Sequence, residues 1–162
     1  MENEKSELEK LKERYYSVKD RYSLPEFSEL NEHFGVEVIA DNETDFLVRE
    51  LKKCMSDKIA NVTRLIETLL NPANSSMFVF SIVKSLDAED RKKLSDLYKK
   101  LSEIGLESLI LDVDSSEKQD ADFIKKIYEF WINSKSELLS ILNKVKETKE
   151  PKTESNNKGY FG

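Results

Sequence analysis

The stretch from Phe46 to Leu70, FLVRELKKCMSDKIANVTRLIETLL, decides the fold class. Its apolar residues fall at Phe46, Leu47, Leu51, Cys54, Met55, Ile59, Val62, Leu65, Ile66, Leu69 and Leu70. Steps of three and four residues along that series are the repeat of a helix face, not the alternation of a strand. The run holds no glycine or proline, and Asn71-Pro72 closes it firmly. Asn42 with Asp45 marks the start. The reading is one helix, roughly 40 Å long at 1.5 Å per residue.

Outward from this helix, the same repeat recurs on both sides. Leu8, Leu11, Tyr15, Val18 and Tyr22 form a heptad-like stripe, as on a helix packed along a long neighbour. Ser23-Leu24-Pro25-Glu26 restarts a helix, with Ser23 as cap and Glu26 at the capping-box position. Leu24, Phe27, Leu30 and Phe34 supply its apolar face, and Gly35 stops it. Asp87, followed by Asp90, opens another helix with the stripe Leu94, Leu97, Tyr98, Leu101 and Ile104. Gly105 is expected to kink or end it. Ser116 and Gln119 form a capping box for a last helix carrying Ile124, Ile127, Tyr128, Trp131, Leu138, Leu142 and Val145.

Two segments read differently. Met77 to Val83, MFVFSIV, is expected to be a short helix buried on most sides; any part left outside would be a partner surface. Val36 to Ala40, VEVIA, is β-like, and Leu109 to Val113 fits a strand or a helix, so neither enters the predicted architecture. The fold class is all-α: an elongated bundle of about six helices joined by short loops. Residues 1–148 make the bundle and residues 149–162 a polar tail, predicted to be disordered because little in it can pack.

Composition narrows the function. The chain of 162 residues has the length of one domain. Its net charge is −6, and the basic residues of the first helix are balanced by nearby acids, so no nucleic-acid partner is expected. No apolar run follows the charged start, and the longest apolar cluster falls far short of the ~20 residues that span a bilayer. A cytoplasmic location without a membrane partner is the expectation. Cys54 is the only cysteine, so no intrachain disulfide can form, and its place on an apolar stripe predicts a structural thiol.

The search for chemistry excludes most classes. His33 is the only histidine, which cannot supply the paired Glu-x-x-His motifs of a di-iron bundle. It lies in the turn before Gly35, where a partly cationic ring suits a helix C-terminus. No nucleophile elbow, phosphate-binding glycine loop or zinc-protease motif is present, so the expectation is no enzyme, no cofactor and no metal. Carboxylates concentrate in residues 103–122, where Glu103, Glu107, Asp112, Asp114, Glu117, Asp120 and Asp122 face Lys118 alone. Asp112, Asp114, Ser116 and Asp120 match positions of a calcium loop, but Glu117 and Phe123 stand where that loop needs glycine and a bidentate glutamate. The stretch reads either as acids favoured ahead of a helix start or as an acidic surface for a basic partner.

Tyr160, Phe161 and Gly162 are the second candidate site. From Thr148 onward Tyr160 and Phe161 are the only apolar side chains, at the end of a polar tether, as in a short docking motif. The three residues resemble the hydrophobic-tyrosine-any tails by which proteasome activators and assembly factors dock on the 20S ring, with Phe161 in the tyrosine's place. More broadly, LPEFSELNEHFGVE, FLVRELKKCMSDKI and the GYFG ending resemble small uncharacterised archaeal all-helical proteins, a resemblance that implies no activity. The expected function is a non-catalytic protein–protein interaction module, an adapter or scaffold with a C-terminal docking tail. The alternative is a structural homo-oligomer pairing through the Leu8–Tyr22 stripe and the Met77 segment. A carboxylate-based metal-binding protein or enzyme is the third reading.

Overall fold

A computed structural model describes residues 6–42 and 44–147. The fold is all-α: six α-helices and two short 3-10 turns, with no strand among the described residues. The helices are α1 (Glu7–Tyr22), α2 (Phe27–Phe34), α3 (Leu47–Leu70), α4 (Met77–Val83), α5 (Ala88–Val113) and α6 (Glu117–Glu147). The tail, with Tyr160, Phe161 and Gly162, lies outside the described residues.

The long helices α3, α5 and α6 form the central bundle. Cross-links fix their directions. Ser56 of α3 meets Ser108 of α5, and Lys52 meets Asp112, so these helices run antiparallel. Lys126 and Lys144 of α6 reach Glu107 and Asp90 of α5, which sets α6 antiparallel to α5 as well. Leu51, Met55, Ile59 and Ile66 of α3 interleave with Leu94, Leu101, Ile124 and Ile127, all fully or nearly fully buried. The connection from α5 to α6 is only residues 114–116.

A second layer, made of α1, α2 and the 3-10 turn Val36–Asp41, covers α3 and α6. Tyr15 ties it together: its buried hydroxyl donates to the Pro25 carbonyl at 2.6 Å, and its ring meets Phe27 edge-on at 5.3 Å. At the far end of α1 the Tyr22 carbonyl accepts from Lys125 Nζ at 3.1 Å. Phe34 packs on Trp131 of α6, with the Lys58 ammonium over both rings. Cys54 sits half-buried beneath this layer, its sulfur 3.8 Å from the Phe34 carbonyl. Burial pushes the thiol's pKa up, which keeps it protonated and unreactive.

Local signals and structure agree at Asp87, whose side chain accepts from the Asp90 N–H, and at the reciprocal Ser116–Gln119 box. They differ at four places. Ser23 does not start α2; it ends α1 in the left-handed region (φ 54°), its N–H returning to the Lys19 carbonyl. Glu26 and Glu29 form the box for α2 instead: Glu26 is extended (ψ 143°), and its N–H donates to the Glu29 carboxylate at 3.2 Å. VEVIA is a 3-10 turn that buries Val36 and Ile39, three residues apart and so on one side of a three-residue turn. At α3, Asn42 and Asp45 do not cap; Phe46 occupies the N-cap position. Gly105 does not end α5, which runs unbroken through it to Val113.

Gly35 behaves as expected. It ends α2 at φ 65°, with its N–H on the Asn31 carbonyl at 2.8 Å. A Cβ there would meet nothing within 4 Å, so substitution costs only backbone strain. Gly35→Ala is expected to lower unfolding free energy by about 1 kcal/mol in urea titration.

Candidate functional site

Helix α5 is apolar on two opposite sides. One side, Leu94, Leu97, Leu101 and Ile104, is buried in the bundle. The other side carries Leu106, Leu109, Ile110 and Val113, which are 61%, 64%, 60% and 89% exposed. Their spacing of i, i+3, i+4 and i+7 is that of a helix face made to be covered. Nothing among the described residues covers it. The α1–α2 layer lies over α3 and α6, while α5 packs chiefly on α3 and α6 and turns its outer side to solvent.

Beside this stripe, between α3 and α5, runs an apolar groove of about 510 Å³. Ile59, Ala60 and Thr63 form one wall and Leu101, Gly105 and Leu109 the other. The Ser56–Ser108 hydrogen bond, 2.9 Å, lies along it. A Cβ on Gly105 would find open space, so the missing side chain deepens the groove and does not serve close helix packing. Asp57, Arg64 and Asp112 mark its rim. The volume falls within the range of ordinary ligand and peptide clefts.

The seven acids do not share one face. Asp120 is buried with Lys52, each only 1% exposed, at 3.3 Å, and Arg49 stands 3.8 Å away. Asp112 takes the other side of Lys52 at 2.7 Å. Glu117 accepts from the Tyr22 hydroxyl at 2.7 Å, a bond that raises the phenol's pKa, and lies 3.5 Å from Arg21. Glu107 pairs with Lys126, and Asp122 pairs with Lys125 at 2.9 Å. Glu103 and Asp114 alone carry no ion pair among the described residues. Five of the seven are therefore neutralised from within the fold.

The Met77 segment corrects an expectation. Helix α4 was to be buried on most sides, but Met77 is 85% exposed, and Phe78 and Phe80 also face outward. Two turns standing at the end of α3 can bury only one side, and Val79, Ile82 and Val83 take it. The Leu8–Tyr22 stripe has the opposite fate: Leu11 and Tyr15 are buried and Leu8, Val18 and Tyr22 pack against the core.

Sequence reasoning missed two features. Lys52 lies on the α3 stripe between Val48 and Met55, a position that signals burial whatever the residue type. The α5 stripe has the correct helical spacing, but Gly105 beside it signals a kink or an end and Leu109 to Val113 fits a strand or a helix, which splits the stripe in two.

No protein-family model, curated protein or solved structure matches the chain, so its function is argued from its own residues. Among the described residues no helix is long and apolar enough to cross a membrane, and no three His, Cys, Asp or Glu side chains gather as a metal site.

Proposed function

We propose that the chain is a non-catalytic protein–protein interaction module, an adapter or scaffold whose docking surface is the outer side of α5 and the adjoining α3/α5 groove. The observation that carries this reading is the run of four exposed aliphatic side chains at helical spacing beside an apolar cleft. Contiguous exposed apolar surface of this kind marks interaction sites in proteins that otherwise hide it. Tyr160, Phe161 and Gly162 are the second docking element, in the manner of the proteasome-binding tails they resemble. The acidic stretch contributes less to recognition than its charge suggests, because its pairs are already made.

A pull-down from the source cell's lysate tests both elements. The baits are the full chain, a Leu109→Glu/Val113→Glu variant and a chain ending at Lys158. Both substituted positions are exposed, so the variant is expected to melt within a few degrees of the parent. A partner lost on the α5 variant supports the face, and one lost on the shortened chain supports the tail. The same partners on all three baits overturn the proposal.

A further inference from the structure

We infer, on the reading of this face as a docking surface, that the chain's own residues 154–161 cover it when no partner does. They lie along the α3/α5 groove from Arg64 toward Asp57, with Tyr160 and Phe161 on the outer side of α5. Reach sets the direction. Ser56 meets Ser108 and Lys52 meets Asp112, so Arg64 stands about level with Lys100 of α5, and Asp57 with Glu107. Lys144 meets Asp90, so Glu147, the last described residue, stands at the start of α5. Whatever follows Glu147 therefore enters the groove at its Arg64 end. From there to the level of Leu109 is about 33 Å, at 1.5 Å of helix per residue. The thirteen residues from Glu147 to Tyr160 span up to about 43 Å when extended, which leaves room for the sideways step from α6. A segment tethered this closely meets the groove at an effective concentration of about a millimolar, above that of an ordinary free partner.

Charge agrees with that direction. Arg64 and Asp57 both stand on the groove rim, two turns apart on one side of α3, or about 10 Å. Glu154 and Lys158 lie four residues apart, about 13 Å in extended chain. Entering from the Arg64 end, Glu154 meets Arg64 and Lys158 meets Asp57. The reverse direction would set Lys158 against Arg64 and Glu154 against Asp57. Neither rim charge has an ion pair among the described residues; Arg64 holds the Asn61 side chain at 3.3 Å. Asp112, the third rim charge, is already held by Lys52. Exposed pairs contribute little, so they set the register while the rings supply the binding. Two and three residues past Lys158, Tyr160 and Phe161 fall beyond Asp57, on the exposed Leu109 and Val113.

The test is amide NMR relaxation on the isotope-labelled full chain. The amides of Gly159, Tyr160 and Phe161 should relax with the helical body, equally at all protein concentrations. Tyr160→Ser/Phe161→Ser should release them and shift the amides of Thr63, Gly105, Leu109 and Val113, leaving α1 and α2 unmoved. Deleting residues 149–153 keeps the rings but leaves eight residues, about 26 Å at full extension, so it should release them too. Asp57→Lys should loosen the segment, and Asp57→Lys with Lys158→Asp should restore it. All these changes fall on exposed rim or outside the described residues, so the melting curve should not move. Amides of residues 159–161 that tumble independently of the body in the parent overturn the inference, and so does a segment still held after the deletion. Shifts centred on Met77 to Phe80 overturn the groove as its site, and a charge swap that restores nothing overturns the direction. Order that fades on dilution overturns the chain's own segment as the occupant. An unbound segment, with Leu109→Glu/Val113→Glu still losing a partner in the pull-down, overturns the cover and leaves the docking face. A bound segment, with that variant keeping every partner, upholds the cover and overturns the docking face.

Discussion

Lys52→Met is expected to lower unfolding free energy by about 3–5 kcal/mol, the usual loss when one member of a buried ion pair is removed. The cause is less the lost attraction than the charge left behind. Asp120 is buried, and its Oδ1 accepts no hydrogen bond among the described residues, so Lys52 is what compensates it there. Arg49, largely exposed at 3.8 Å, offsets a part, which places the effect toward the lower end of the range. At this chain length the loss corresponds to a fall in Tm of about 10 °C. Lys52→Met combined with Asp120→Leu should recover most of it, because neither charge then remains. Asp112→Asn should cost under about 1 kcal/mol, since Asp112 is solvated. Urea titration of the three variants checks the order, and a Lys52→Met loss no larger than that of Asp112→Asn would contradict it.

Tyr15→Ala is expected to be as damaging, about 3–5 kcal/mol, by emptying a site wholly shielded from solvent. The ring holds α1 against Phe27, and the hydroxyl holds the Pro25 carbonyl in the link to α2. Tyr15→Phe isolates the second contribution: it keeps the ring, strands the Pro25 carbonyl and should cost about 1–2 kcal/mol. A pH arm separates the two further. Burial, assisted by the Glu26 carboxylate, raises the phenol's pKa in the folded protein. Folding therefore favours the neutral phenol. That stabilisation is whole below the unfolded value near pH 10 and is lost as pH rises above it. The parent should lose stability above about pH 10 more steeply than Tyr15→Phe, which has no proton to release.

What could be read from the chain alone depended on how far apart the interacting residues lie. The α3 face, the Asp87 cap and the Ser116–Gln119 box are set by residues within a turn or two of each other, and they were legible. The Lys52 site joins residues about sixty apart. The place of Lys52 on the α3 stripe is a signal of burial that is easily passed over, nothing near it points to Asp120, and the acids of residues 103–122 read as favoured ahead of a helix start or as an acidic surface. VEVIA misled through the β-propensity of its branched residues, which the 3-10 turn overrides by burying Val36 and Ile39 together. The outer face of α5 was hidden by a different cause. A helix apolar on two opposite sides has no single direction in which its apolar residues add up, so a search for one stripe stops at Ile104.

The three-residue link between α5 and α6 bears on the order in which the molecule comes apart. Helices joined so closely meet without a large loop-closure cost, and their contacts are local in the chain. The α1–α2 layer returns from the other end of the sequence and is latched to α6 at Tyr22, through Lys125 and Glu117. Such a layer can lift off while the hairpin beneath it stays closed. Native-state amide exchange should show this as two tiers: amides in α1 exchanging through a partial opening, and those at the centre of α5 and α6 only through global unfolding.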